Sequence, residues 1–342
     1  MGSKINFQLD STATTGNHCG WAGIVNDIAK NGRVRFLTAL EKADGRITCM
    51  LLNYDMPLWR PPSEADSFIL QATLGCSFNR CSFCAMYRSK EFTIRPLDQV
   101  QAEIQTVARA YPAVRRVFLA DGDALAAPTN HLLHLLGTLS GAFPSLERVS
   151  SYALPANLLK KSVEELRQLR ENGLTLLYYG IETGAAELLK RITKGATPET
   201  MVTGLGKAKA AGLMISATVI LGLGGQPYWQ EHIDGTAELV NQVALDYLST
   251  LQLMIEPSLR AEFTRKFREP FHEQDDRALL LEQMRLIERL NPPAPLVFRS
   301  NHASNALALA GTLPQDQLEL LSRLELALAG GLHLRPEWLR GY

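Results

Sequence analysis

The chain has 342 residues, and its 35 Lys+Arg cancel its 35 Asp+Glu. Hydrophobic residues at 46% and charged residues at 20% are ordinary globular values, which excludes a disordered or fibrous protein. The length allows two domains or one large α/β barrel, and zero net charge argues against a broad basic surface for nucleic-acid backbone.

Residues 1–60 read as a small N-terminal appendage. Arg33–Leu37 and Arg46–Leu52 form two short strand patterns around Ala43-Asp44-Gly45, and Asp-Gly between such strands is a hairpin signal. Pro61-Pro62 then breaks the pattern, because each proline disfavours helix in the residue before it. From Ser67 onward, strands are predicted over 67–74, 114–119, 146–152, 174–181, 213–221 and 247–255. Helices are predicted over 97–110, 131–139, 185–192, 198–211 and 229–243, and Ser162-Val163-Glu164-Glu165 opens another as a capping box. Six apolar strands, each returning through a helix, require a parallel sheet with helical crossovers. The expected fold is α/β, a partial (β/α)6 TIM-like barrel core over 61–260. A helical C-terminal extension over 261–342 follows, with helices at 277–290 and 315–329.

Five cysteines fall at 19, 49, 76, 81 and 84, with none after Cys84. Three of them crowd the loop after the first core strand as Cys76-x4-Cys81-x2-Cys84, at the end of a parallel strand where such folds build sites. The opening residues carry no apolar signal region, and no stretch approaches the ~18 apolar residues of a membrane span. These features predict a cytoplasmic chain with reduced thiols and no membrane association. Three thiolates can hold three irons of a [4Fe–4S] cluster and leave the fourth open. A structural zinc site wants a fourth protein ligand, which Cys19, Cys49 or a histidine can supply, so zinc stays open on counting. A lone nucleophile does not explain three clustered cysteines.

The loop, with Phe83 directly before its last cysteine, resembles the cluster loop of the radical S-adenosylmethionine (radical SAM) superfamily. The common superfamily spacing is C-x3-C-x2-C, and the longer first spacing is similar to that of branches like the Elongator catalytic subunit. Phe118-Leu119-Ala120-Asp121-Gly122-Asp123 stands where the superfamily has a Gly-Gly-Glu-like motif, and Gly180-Ile181-Glu182-Thr183-Gly184 resembles its G-x-E-x-G element. Ile220-Leu221-Gly222-Leu223-Gly224-Gly225 resembles the segment against which adenine rests. The resemblance implies that Cys76, Cys81 and Cys84 bind the [4Fe–4S] cluster. It implies that Phe83, Asp121, Gly122, Asp123, Ser151, Glu182, Leu221 and Gly222 contact S-adenosylmethionine, with Lys190, Arg191 or Lys194 pairing with its carboxylate. The reaction it implies is reductive cleavage of S-adenosylmethionine to a 5′-deoxyadenosyl radical that abstracts hydrogen from a small organic substrate. A reductant such as flavodoxin or ferredoxin would be a partner.

Taken singly, each segment also has a plain reading: Asp-Gly-Asp is a common turn, Glu182 can cap a helix, and Gly-Leu-Gly-Gly lacks a phosphate-loop lysine. Their succession at carboxyl ends of strands, together with the cysteine loop, favours the enzyme. The absence of cysteines beyond Cys84 argues against auxiliary clusters, and Cys19 and Cys49 read as bystanders. The stretch 298–305 offers Arg299 and His302 as catalytic candidates at the substrate, with a hydrogen-bonded turn as the alternative. His131 and His134 read as ordinary helix residues. Two other functions stay open: a radical SAM tRNA-modifying enzyme, and a non-catalytic cysteine-rich metal-binding protein.

Overall fold

The computed structural model describes residues 21–28, 34–41, 47–267 and 269–341. The chain divides into two units, 1–53 and 54–342. In the first, β1 (Trp21–Ile28), β2 (Val34–Glu41) and β3 (Ile47–Tyr54) form a three-stranded sheet in that order, with β1 antiparallel to β2. β2 and β3 correspond to the expected pair, and β1 adds a strand that its irregular hydrophobic pattern hid. The Asp44-Gly45 turn and Cys19 lie outside the described residues, as does the side chain of Cys49.

The second unit opens with β4 (Phe68–Gln71) and β5 (Thr73–Leu74) and returns through β6 (Thr93–Ile94). The predicted first strand is thus split. Its carboxyl end leaves the main sheet to pair with β6 as a small antiparallel ladder, from which residues 75–92 project. There follow α1 (Leu97–Ala110), β7 (Arg116–Ala120), α2 (Thr129–Ala142), β8 (Arg148–Ala153), α3 (Pro155–Lys160) and α4 (Val163–Glu171). Next come β9 (Leu174–Glu182), α5 (Ala186–Arg191), α6 (Pro198–Ala210), β10 (Met214–Leu221), α7 (Gly225–Val240) and β11 (Tyr247–Gln252). The chain closes with α8 (Pro257–Phe267), α9 (Asp276–Arg289), β12 (Leu296–Arg299), β13 (Ala310–Leu313) and α10 (Gln317–Leu328). The capping box expected at Ser162 is present: its hydroxyl accepts from the Glu165 amide at 3.1 Å, and Glu165 accepts from the Ser162 amide at 2.8 Å.

These strands build one eight-stranded sheet, ordered β13-β12-β11-β10-β9-β8-β7-β4. All neighbours from β4 to β12 are parallel, and β13 is antiparallel to β12. The architecture is the expected α/β partial barrel, with two more sheet strands contributed by residues beyond 261. No described helix is long and apolar enough to cross a membrane.

The two faces of the sheet differ. Ile215, Ala217 and Val219 of β10 are buried under the helices, whereas the alternate positions Met214, Ser216 and Thr218 are only partly covered. On this inner face Phe118, Ala120, Leu176 and Tyr178 form a cluster, joined by Leu58, Ile69, Tyr152, Met214 and Tyr247. Phe118 meets Tyr152 edge-on at 5.1 Å and Tyr178 at 6.0 Å between ring centroids.

A polar knot secures the inner face toward the amino ends of the strands. Glu64, fully buried, accepts from the Tyr178 hydroxyl at 2.5 Å and from Arg148 at 2.8 Å, and also from Ser67. Removing one partner of a buried ion pair leaves the other desolvated and uncompensated. Glu64→Ala should therefore cost about 3 kcal/mol or more in urea denaturation. Glu147→Ala, which breaks the exposed Arg115–Glu147 pair, should leave the curve unmoved. Equal losses from the two would refute this assignment.

Candidate active site

The residues projecting from β5 and β6 carry the cysteines. Gly75, with φ +70°, starts the turn, and its amide donates to Asp121 Oδ2 at 3.0 Å. The same carboxylate accepts from Lys90 Nζ at 2.8 Å and from Gln71 Nε2 at 2.9 Å. These three bonds tie both ends of the cysteine loop to β7, so Asp121 fastens the loop.

Inside the loop, Asn79 Nδ2 donates to the Tyr87 carbonyl at 2.8 Å, and Arg88 donates to the Cys81 carbonyl at 2.8 Å. The Ser82 amide donates to the Ile192 carbonyl at 2.9 Å, which fastens the loop to the end of α5. A Cβ on Gly195 would stand 2.6 Å from the Phe78 ring, so glycine is what lets that ring pack there. Gly122 is tighter still: a Cβ would meet Tyr87 at 2.5 Å and Cys76 Cβ at 3.2 Å. Gly122 therefore sets the approach of β7 to the first cysteine, and its role is backbone proximity.

Cys76, Cys81 and Cys84 are free thiols, each partly exposed. Burial pushes Cys81 up to about 12, and it raises Cys76 and Cys84 as well. Three buried polar atoms near them have no hydrogen-bond partner among the described residues: the Tyr87 hydroxyl, Ser82 Oγ and Asp123 Oδ1. Asp123 is otherwise held by Ser77 and Asn157, and burial lifts its carboxyl to about 6 against those bonds. Phe83 is half-buried on the loop.

Beside the thiols lies a buried ion pair, Lys194 Nζ to Glu182 Oε1 at 2.7 Å. Two features of Gly180-Ile181-Glu182-Thr183-Gly184 make it possible, and a third serves the packing beside it. Glu182 is in the left-handed region at φ +63°, which turns its side chain back over β9. A Cβ on Gly180 would stand 1.9 Å from Glu182 Oε1 and 2.9 Å from Lys194 Nζ, so the absent side chain provides the room for the pair. A Cβ on Gly184 would stand 2.0 Å from the Gly235 carbonyl, so the second glycine admits α7. Burial opposes the Lys194 charge, but Glu182 outweighs it and raises the ammonium above its ordinary range.

The cation beside Glu182 is therefore Lys194. Lys190 is exposed on α5, and Arg191 turns outward to Glu187, Glu269 and Tyr228. α5 ends at Arg191, and Thr193 at φ +56° reverses the chain to bring Lys194 back. Two other expected contacts lie on the helix-covered side of the sheet. Ser151 lies in register with Leu119 and Leu177, on the helix-covered side, and its hydroxyl donates to the Tyr152 carbonyl at 2.9 Å. Leu221 shares the outward parity of Ala217 and Val219, so Ile220 is the inward residue there.

Behind the end of β10 is a buried network that the sequence reading missed. Gly222, at φ +81°, donates its amide to Glu282 of α9 at 2.5 Å. His232 Nε2 donates to the Ile220 carbonyl at 2.9 Å, so its Nδ1 accepts from the Thr183 hydroxyl at 2.8 Å. Burial lowers His232 to about 4 and raises Glu282 to about 8. Both are neutral near pH 7, and no periodicity or motif singles them out.

Of the substrate candidates, Arg299 is exposed at the end of β12, its guanidinium 5.7 Å from the Tyr247 ring. His302 lies in the following loop, where Nδ1 accepts from the Ser304 amide at 3.1 Å; burial, then Arg335, lowers its pKa. Asn305 is buried and donates to the Thr250 carbonyl at 2.7 Å. The turn expected as the alternative for 300–305 is thus formed, and the contacts of His302 are within it and with the chain around Arg335. His131 and His134 lie on α2.

A parallel sheet carrying three thiols and a buried Glu–Lys pair at its carboxyl end places the candidate site where parallel α/β barrels build theirs. Residues 70–240, half of the chain, match the family model described as the Radical SAM superfamily, and the chain belongs to that superfamily. It is 23% identical over 184 residues to the heme chaperone HemW of Bacillus subtilis (strain 168), covering 52% of this chain and 48% of that protein. It is 22% identical over 202 residues to an uncharacterized methyltransferase of Pyrococcus horikoshii, covering 57% of this chain and 41% of that one. The chain thus spans about half or less of the curated relatives it matches. Among solved structures, methylornithine synthase (PylB) is 15% identical at a TM-score of 0.46, over 80% of this chain and 83% of that one. Coproporphyrinogen III oxidase (HemN) from Escherichia coli is 17% identical at a TM-score of 0.46, over 78% and 52%.

The cofactors of the superfamily are a [4Fe–4S] cluster and S-adenosylmethionine. The donor set fits them. The described residues hold no group of three or more His, Cys, Asp or Glu side chains placed around one metal ion. A cubane makes a different demand, since each thiolate takes its own iron. The unpartnered Tyr87, Ser82 and Asp123 atoms lie beside those thiols.

Two outcomes test the site. Gly180→Ala should displace the Glu182 carboxylate and cost about 3 kcal/mol, while Gly206→Ala, with open space in α6, should stay within about 1 kcal/mol of wild type. Thermal unfolding of both variants decides this, and a harmless Gly180→Ala would remove the reading of the motif. Glu282 is protonated in the folded chain where an unfolded glutamate has ionised. Its stabilising contribution is full below about pH 4.3 and is lost as pH rises through about 8. Glu282→Gln should gain on wild type by about 1 kcal/mol or more between about pH 5 and pH 8. A gap in urea midpoints that stays constant with pH would contradict the buried, protonated assignment.

Proposed function

We propose that Cys76, Cys81 and Cys84 hold the [4Fe–4S] cluster, and that the ends of β7, β9 and β10 hold S-adenosylmethionine for hydrogen abstraction from a small organic substrate. The observation that carries this reading is the Glu182–Lys194 pair packed beside three thiols on one loop. When bound, the two cofactors together supply a 5′-deoxyadenosyl radical. Lys194 offers its ammonium to a carboxylate, Glu182 offers its carboxylate to an ammonium or hydroxyl group, and Asp123 Oδ1 remains to accept a further donor. Gly122 and Gly222 let backbone approach the bound molecule, with Phe83 and Ile220 as apolar walls. Asp121 and Glu282 position this machinery from behind.

A small-molecule substrate is favoured over tRNA by the balanced charge of the chain. The C-x4-C-x2-C spacing supports kinship with the Elongator-like branch. Within this reading, residues 61–260 are the catalytic core, 261–342 help enclose it, and 1–60 are an appendage. Arg299 and His302 serve the substrate, a flavodoxin or ferredoxin supplies electrons, and the enzyme works in the cytoplasm. The heme chaperone and methyltransferase relatives carry different outcomes, and neither supplies one here.

Anaerobic reconstitution tests the proposal. The chain should take up about four irons and, with dithionite and S-adenosylmethionine, release 5′-deoxyadenosine. The triple Cys76/Cys81/Cys84→Ala variant should do neither. Uptake of zinc without 5′-deoxyadenosine formation would overturn the proposal.

A further inference from the structure

The inner face of the sheet carries a row of polar groups that the cofactor reading leaves unused. β9, β10, β11 and β12 are in parallel register, with Gly180 beside Thr218, Thr218 beside Ser249, and Ser249 beside Arg299. Neighbours in register point to the same side, and this side is the inner one, because Met214 and Tyr247 at alternate positions join the inner aromatic cluster. The row therefore begins at the glycine that makes room for Glu182 and Lys194 and ends at an exposed guanidinium.

Charge and satisfaction give the row its chemistry. Among the described residues no carboxylate lies within ion-pair distance of Arg299, whose recorded contact is the Tyr247 ring at 5.7 Å. The hydroxyls of Thr218 and Ser249, and that of Ser216 one row below, have no hydrogen bond to a described residue, and all three residues are partly exposed. A second guanidinium, Arg60, acts on the same face: burial raises the Tyr152 hydroxyl, and the Arg60 charge partly opposes that rise. The buried carboxylate toward the amino ends, Glu64, is already matched by Arg148. An unpaired, planar guanidinium next to unpaired hydroxyls is complementary to an oxyanion group.

We infer that the substrate is a small organic anion, its carboxylate or phosphate held by Arg299 with Ser249 and Thr218, and its carbon skeleton lying along the row toward Gly180. This rests on the proposed function, since the opposite end of the row adjoins the Glu182–Lys194 pair.

The test is labelling of Arg299 by phenylglyoxal in the reconstituted enzyme without reductant, with and without S-adenosylmethionine, read by peptide mass spectrometry. Succinate and inorganic phosphate are the probes, with succinamide and sodium chloride of equal ionic strength as controls. One or both anions should slow labelling of Arg299 about tenfold at about ten times the dissociation constant, leaving the exposed Arg323 of α10 unaffected. Protection by succinate alone assigns a carboxylate, and protection by phosphate alone assigns a phosphate. In calorimetric titration, Arg299→Gln with an unchanged melting temperature should bind the protecting anion roughly tenfold or more weakly. Equal labelling of Arg299 under all conditions, or undiminished binding by the variant, overturns the inference. Labelling needs no turnover, so failure to form 5′-deoxyadenosine would strike the proposed function without deciding this one.

Discussion

The site depends on one buried ion pair. Glu182 and Lys194 are both nearly inaccessible, and burying either charge alone is costly. The chain meets that cost with covalent geometry: a glycine two residues earlier leaves the volume, and a left-handed backbone at Glu182 aims the carboxylate into it. The second glycine belongs to a different constraint, the passage of α7 across the strand end. A five-residue motif thus encodes an electrostatic fact and a steric one side by side.

Around this pair the work divides between groups that face the thiols and groups that stand behind them. Asp121 accepts from Gly75, Lys90 and Gln71, so it fixes the loop that bears the cysteines. Asp123, two residues later, keeps one oxygen without a partner. Two aspartates separated by one glycine therefore have different situations: one fastens the loop, and the other keeps an unbonded oxygen beside the thiols. Glu282 repeats the Asp121 pattern at β10, holding a backbone amide from the helix layer.

Much of this was legible in the residues. The alternation of strands and helices, the cysteine loop and the glycine-bracketed Glu182 all have local signatures, and each core element formed close to its predicted place. What escaped depends on non-local geometry. Lys190, Arg191 and Lys194 all follow Glu182 within the same short stretch, Lys194 being the farthest in sequence, and the reversal at Thr193 selects it. Ser151 and Leu221 lie on the helix-covered side, which the pattern of an apolar strand buried on both faces does not declare. β12 is short and follows Asn291-Pro292-Pro293, so its pattern was submerged. His232 and Glu282 come from two helices and meet only after folding.

His232 has a consequence for how effects combine. One ring nitrogen binds β10 at Ile220 and the other binds Thr183, next to Glu182, while Glu282 grips the amide of Gly222. The ends of β9 and β10 are therefore cross-braced through a single uncharged imidazole. In thermodynamic terms they form one cooperative unit: the free energies of disturbances at Glu182 and Gly222 do not add. A shift that frees one strand end is already partly made for the other.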